Sequence, residues 1–146
     1  MRIALEIQRT LDLEARRVRR KIFLSRLWVR VRFRRSQGWC EPQLALVDTG
    51  APYSLLPASL WTMLNVNPIT EMSLRGIVPG HAAELDTRLA SVSAQLLDAT
   101  HRSPQLSLWA LLTDTDQVPL VLGWAGCLDR ATLMVKSQRN QAWLEF

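Results

Sequence analysis

The chain has 146 residues, 48% of them apolar, which is enough for one domain with its own core. No apolar run approaches the roughly 20 residues of a membrane span, and the first residues contain no apolar signal-peptide core. The two cysteines are too few for a disulfide framework, and no His or Cys pair has metal-ligand spacing. We therefore expect a cytoplasmic protein without a membrane span, a metal site or a cofactor.

The net charge of +5 is unevenly distributed. Residues 1–40 contain 12 of the 18 Lys and Arg but 3 of the 13 acidic residues. Such a basic segment is compatible with nucleic acid, acidic lipid or an acidic partner. It is also typical of the solvated face of an edge strand, where charge prevents aggregation. No nucleic-acid motif accompanies the charge, which favours the second interpretation.

Alternating and apolar patterns predict about nine short strands. They fall at residues 1–8, 23–35, 39–47, 70–78, 84–97, 106–112, 118–122, 132–136 and 142–146. Short helices are predicted at 57–64, where proline occupies the first turn, and at 125–130. This element content predicts an all-β fold, a closed or nearly closed barrel-like sheet with one or two short helices.

The most informative stretch begins at the end of the third predicted strand. Four apolar residues, 44–47, predict a strand buried on both faces, and they run directly into Asp48-Thr49-Gly50. A second apolar run at 53–56 leaves this turn at once. A charge at such a place is costly unless the carboxylate is hydrogen-bonded or shares a proton. A simpler interpretation is a turn whose Asp caps its own backbone.

This stretch resembles the active-site loop of aspartic proteases, because two apolar residues precede Asp48-Thr49-Gly50-Ala51 and an apolar strand follows. Ala51 resembles the retroviral form of that loop, found in the retropepsins. The order of elements over 23–146 is also similar to the retropepsin plan. The resemblance therefore implies an acid-protease single lobe at 23–146. Residues 1–22 would precede it as a basic N-terminal arm or an extra strand.

The resemblance also implies roles for individual residues. Asp48 would be catalytic, within an active-site loop that continues through Thr49, Gly50 and Ala51. A second apolar-Gly element would cross behind this loop at Leu122 and Gly123. A flap over the substrate would contain Gly76, Ile77, Val78 and Gly80.

Two positions depart from the family pattern. Retroviral members usually have an acid after Asp-Thr-Gly-Ala and an Arg after the second Gly, and the two side chains pair. This chain has Pro52 and Trp124 there, so both charged partners are absent together. Pro52 also lacks an N–H with which to contact a substrate backbone.

Aspartic proteases need two carboxylates, and this chain has one Asp-Thr-Gly. Asp86 and Asp114 also begin Asp-Thr pairs, but in neither case is the third residue Gly. The resemblance therefore implies an aspartic endopeptidase that acts on a peptide or protein substrate as a homodimer, with two Asp48 carboxylates that share a proton and activate water.

Two alternatives stay open at this point. The chain could be a catalytically inactive retropepsin-fold module for dimerisation or peptide binding, and the basic segment at 16–35 could bind nucleic acid in either case. Ser54 has no His near it in the pattern, which makes a serine triad improbable. Cys127 is interpreted as a core residue.

Overall fold

The computed structural model describes residues 1–17, 21–74 and 85–146. Ten strands run through this part of the chain. They are β1 (Arg2–Leu11), β2 (Phe23–Phe33), β3 (Gln43–Val47), β4 (Ser54–Leu56), β5 (Thr70–Leu74), β6 (Leu85–Leu97), β7 (Leu106–Thr113), β8 (Val121–Leu122), β9 (Thr132–Lys136) and β10 (Gln141–Glu145). One α-helix, α1 (Ala58–Trp61), and 3₁₀ turns at Glu14–Arg17, Leu128–Arg130 and Ser137–Arg139 complete the set.

The strands form one sheet that closes on itself. Six strands follow each other in the order β6-β7-β4-β8-β3-β2, and β2 then pairs with β6 from Arg30↔Leu97 to Phe33↔Ala94. β5 extends the sheet beyond β6, while β1, β10 and β9 extend it beyond β2. The predicted all-β fold with a closed sheet is confirmed.

The alternation of β2 explains the main core. Val29, Val31 and Phe33 are at most 2% exposed, whereas Arg30 between them is exposed. On β6 the inward set consists of alternate residues from Ala90 onward. A second, smaller cluster forms around residues of β4, β7 and β8 and the loop before β8: Leu55, Leu111, Val118 and Val121.

Both predicted helices are shorter than expected. The stretch 57–64 forms α1 over Ala58–Trp61 only, and 125–130 forms a 3₁₀ turn at Leu128–Arg130. Gly126 explains the second difference. Its φ is +82°, outside the helical region, and a Cβ there would overlap the Ser107 carbonyl.

The prediction that 44–47 is buried on both faces is wrong for Leu44, which is 49% exposed. Ala45 and Val47 point into the main core, and Leu46 packs against the second cluster. The apolar run 44–47 therefore contributes to two separate clusters, and its first residue is exposed to solvent.

The edge-strand interpretation of the basic segment is wrong for β2. This strand pairs with β1 from Phe23 to Trp28, with β3 from Leu27 to Val31, and with β6 from Arg30 to Phe33. Residues 27–31, which include Arg30, are thus flanked by strands on both sides and do not protect an edge, whereas Arg26 lies where β2 pairs with β1 alone.

β1 changes partners along its length, because residues 2–5 pair with β10 and residues 6–11 pair with β2. Asp98 lies near this change, and its Oδ2 accepts the Ala4 N–H at 2.9 Å. Its Oδ1 accepts the N–H groups of Thr100 and His101, each at 2.7 Å. Burial alone would raise the pKa of Asp98, but these hydrogen bonds hold it well below its ordinary value of 3.8.

Candidate active site

Asp48 stands immediately after β3, between β3 and the loop that precedes β4. Its N–H donates to the Leu122 carbonyl at 3.0 Å, which continues the parallel pairing of β3 with β8. Its carboxylate Oδ1 accepts the Gly50 N–H at 2.8 Å. The half-buried side chain is therefore oriented by its own loop, as the turn interpretation also required.

A cleft of about 420 Å³ opens beside Asp48. Gly50 and Ala51 form its rim together with the carboxylate. The rest of the lining is almost entirely apolar: Leu46, Pro52, Tyr53, Leu55, Leu111, Pro119 and Val121. A carboxylate at the edge of an apolar cleft is the arrangement expected where a site binds an apolar group and acts on a polar one beside it.

The end of β8 packs tightly against the back of the active-site loop. A Cβ at Gly123 would lie 2.6 Å from the Ala51 carbonyl oxygen and would also overlap that of Tyr53. Only glycine permits this approach without a shift of the backbone. The structure thus brings Leu122 and Gly123 into contact with the loop that contains Asp48, Gly50 and Ala51.

Ser54 supports the same contact from β4. It is fully buried, and its Oγ accepts the Gly123 N–H at 3.2 Å. From the sequence alone, Ser54 is considered only as a nucleophile. A single hydroxyl at the start of an otherwise apolar strand was a usable signal of a structural hydrogen bond.

Trp124 is the second residue whose role the sequence did not reveal. Its indole Nε1–H donates to the Thr49 carbonyl at 2.6 Å, and its backbone N–H donates to the Ala51 carbonyl at 2.9 Å. Ala125 N–H donates to the Pro52 carbonyl beside them. Trp124 is nonetheless 45% exposed, so one aromatic surface borders the active-site loop and faces solvent.

Gly76, Ile77, Val78 and Gly80, the predicted flap, lie outside the described residues. Within the described residues, no three His, Cys, Asp or Glu side chains cluster in a way that would hold a metal ion. No helix in the same residues has the length and apolarity to cross a membrane.

Cys127 is fully buried below this region. Burial and the nearby charge of Asp129 raise the pKa of its thiol from 9.0 to about 12. The thiol therefore stays protonated at neutral pH, and the prediction that Cys127 is a core residue is confirmed.

Comparison with known proteins gives a likeness in fold alone. No protein-family model matches the chain, and no curated protein matches its sequence. Among solved structures, it is similar to a retropepsin-like aspartic protease from Rickettsia conorii, with a TM-score of 0.50 and 11% identity. That match covers 96% of this chain and 92% of the other. The chain has a retropepsin-like fold.

In this retropepsin-like fold the departures at Pro52 and Trp124 lie side by side. The Pro52 carbonyl and the Ala51 carbonyl both accept backbone hydrogen bonds from the segment at 124–125. Both side chains are exposed beside the active-site loop.

Proposed function

We propose that the chain is an aspartic endopeptidase, a peptide hydrolase that works as a homodimer with one Asp48 from each copy. The observation that carries the proposal is the Asp48 carboxylate, held by the Gly50 N–H at the edge of an apolar cleft in a retropepsin-like fold. Asp48 Oδ2 accepts no hydrogen bond from the described residues, which leaves it available to a water molecule.

The need for a second copy follows from the number of carboxylates. Among the described residues, Asp48 is the acidic residue that lines the cleft, and one carboxylate cannot act as acid and base in the same step. Thr49, Gly50 and Pro52 are exposed around it. A twofold axis through this surface would bring two Asp48 side chains together, since a symmetric dimer contact pairs each patch with itself.

The reaction then needs no cofactor. Two carboxylates in contact retain one proton between them. The ionised Asp48 takes a proton from water as the water oxygen attacks the scissile carbonyl carbon, and the protonated Asp48 donates its proton to the carbonyl oxygen. As the tetrahedral diol collapses, one hydroxyl gives its proton to the ionised Asp48, the C–N bond breaks, and the leaving nitrogen receives the proton that came from water. The pair of carboxylates then again holds one proton between them.

The cleft suggests the kind of peptide that is cleaved. Its leucine, valine, proline and tyrosine lining favours a substrate with an apolar side chain next to the scissile bond.

The decisive experiment replaces Asp48 by Asn. Asp48→Asn keeps the shape of the side chain but removes the ionisable group, so we expect cleavage of a mixed peptide library to be abolished while circular dichroism stays unchanged. Asp86→Asn is the matched control, because Asp86 is exposed, is also followed by Thr and does not line the cleft. Equal turnover by Asp48→Asn and wild type would refute the proposal.

A second candidate is a retropepsin-fold module that binds peptide or dimerises without turnover. Pro52 favours it, because this position has no N–H to offer to a substrate backbone. A folded, dimeric wild-type chain that binds peptides in the cleft but cleaves none between about pH 3 and pH 8 would establish this candidate instead.

A further inference from the structure

The outer face of β2 and the turn after it form a basic surface that plays no part in the proposed reaction. We call it the arginine face and define it by six residues: Arg26, Trp28, Arg30, Arg32, Arg34 and Trp39. Alternate residues of β2 point to the same side, so successive members of the row Arg26, Trp28, Arg30, Arg32 and Arg34 stand about 7 Å apart. Residues 21–40 contain six basic residues and no acidic one.

The arginines of the arginine face form no ion pair within the described residues, although Glu6 of β1 lies opposite Trp28 on the same face of the sheet. The ion pairs in this part of the chain are Arg2–Glu145, Arg88–Asp114 and His101–Asp98. Arg32 is held instead by a neutral partner, because its Nε and one terminal nitrogen donate to Gln95 Oε1 at 3.1 and 2.6 Å. The guanidinium is thereby fixed in position with its full charge.

Aromatic rings are interleaved with these charges. The guanidinium carbons of Arg32 and Arg34 lie 4.8 and 5.5 Å from the centre of the Trp39 ring. Trp28 stands on the same face, with its indole N–H donated to Gln8 at 2.9 Å. Planar guanidinium groups and indoles in one row provide surfaces on which nucleic-acid bases stack.

The position of β2 in the sheet favours a ligand-binding role for this row of arginines. Like charges on one face of a sheet repel each other and destabilise it. On an edge strand that cost is offset by protection against aggregation, but residues 27–31 of β2, which include Arg30, have strand partners on both sides. An anionic ligand relieves the repulsion, and guanidinium groups bind phosphate oxygens through two parallel hydrogen bonds.

We propose that the arginine face binds single-stranded nucleic acid. Its phosphates contact the arginines, and its bases stack on Trp28 and on the guanidinium planes that lie over Trp39. The interleaved aromatic rings favour this ligand over an acidic protein or a lipid surface, because neither carries bases that stack. The inference is independent of peptide cleavage, since Asp48 has no part in it.

The test measures binding of a labelled oligothymidylate of about twelve nucleotides to the full chain by fluorescence anisotropy, between about 20 and 200 mM NaCl. We compare wild type with the triple variant Arg30→Gln/Arg32→Gln/Arg34→Gln. The variant should bind at least about tenfold more weakly, and its plot of log affinity against log salt should be flatter by about 2, since each lost phosphate contact contributes about 0.7. The substituted side chains are exposed or half-buried, so the fold should be retained.

The matched control is Arg130→Gln/Lys136→Gln/Arg139→Gln, which removes the same charge from exposed positions elsewhere. It should keep the wild-type salt slope. Trp39→Leu should weaken binding of the oligonucleotide more than binding of inorganic polyphosphate, which has no bases. An equal loss in the two triple variants would overturn the inference. So would equal competition, charge for charge, by polyphosphate, polyglutamate or anionic phospholipid vesicles.

Discussion

At the scale of single residues, Trp124 connects the departures from the family pattern to the proposed chemistry. Its indole N–H is the donor to the Thr49 carbonyl, one residue after Asp48. The family's Arg at this position would pair with an acid, whereas Trp124 binds the loop backbone directly. We therefore regard Trp124 as a positioning residue for Asp48.

Trp124→Phe tests that role, because Phe keeps an aromatic ring but has no N–H. The loss of one hydrogen bond costs about 1 kcal/mol. If this loss is expressed in the transition state, kcat should fall roughly five- to tenfold while KM changes little. The measurement is steady-state cleavage of the best library peptide.

Trp109→Phe is the control for this substitution. Trp109 is 41% exposed on β7, similar to the 45% of Trp124, and it does not line the cleft. A matching decrease in kcat for the two variants would show that the Thr49 contact has no specific effect.

At the scale of elements, Asp98 holds the end of β6 to β1. Its carboxylate accepts N–H groups from Ala4, Thr100 and His101, and the side chain is 12% exposed. Asn at this position would turn an NH₂ group toward one of these donors. We expect Asp98→Asn to lower the free energy of unfolding by about 2 kcal/mol at pH 7.

This difference should depend on pH in a defined direction. Because the folded pKa of Asp98 is held below its ordinary value of 3.8, its contribution to stability is present above that pH and declines as the pH falls below it. Urea unfolding of wild type and Asp98→Asn at pH 7, 5 and 3 should therefore give values that converge toward acid. Asp116→Asn is the control, because Asp116 accepts a single backbone N–H, from Ser59. A difference that stays constant down to pH 3 would contradict the assignment.

The sequence predicted the strands well where one face is buried and the other solvated. The regular alternation of β2 and the turn before β3 made that hairpin clear, and the terminal pair β9 and β10 was found within a residue or so of its observed ends. The sequence did not reveal that Leu44 is exposed while Leu46 joins a second cluster, because an apolar run carries no information about which surface covers each residue.

The candidate site was predictable only where it is local in sequence. The Asp48 loop was found from its own residues, and the Gly50 contact to Asp48 follows from the turn. The cleft was not predictable, because Leu111, Pro119 and Val121 reach it from distant parts of the chain. The Trp124 contact to Thr49 likewise spans 75 residues, and no short pattern encodes such a pairing.

At the scale of the whole molecule, each copy of the proposed enzyme is a single lobe that supplies one active-site carboxylate, Asp48, from an exposed loop. A dimer that assembles the site should dissociate on dilution, so specific activity should decline at low protein concentration. A decline on dilution has other causes, such as adsorption or slow unfolding. A sharper test must identify the contribution of each copy to one site.

Subunit mixing provides that test. When wild type is equilibrated with an equal amount of Asp48→Asn, random exchange leaves about half of the wild-type chains in wild-type dimers. Mixed dimers contain one Asp48 carboxylate and one uncharged amide in its place, and they lack the proton that the two carboxylates share. We therefore expect total activity to fall to about half of the value before mixing. Addition of Asp86→Asn instead should raise total activity, because that chain retains Asp48. If activity is unaffected by the Asp48→Asn chain, each copy works alone, and the shared site between two Asp48 carboxylates is excluded.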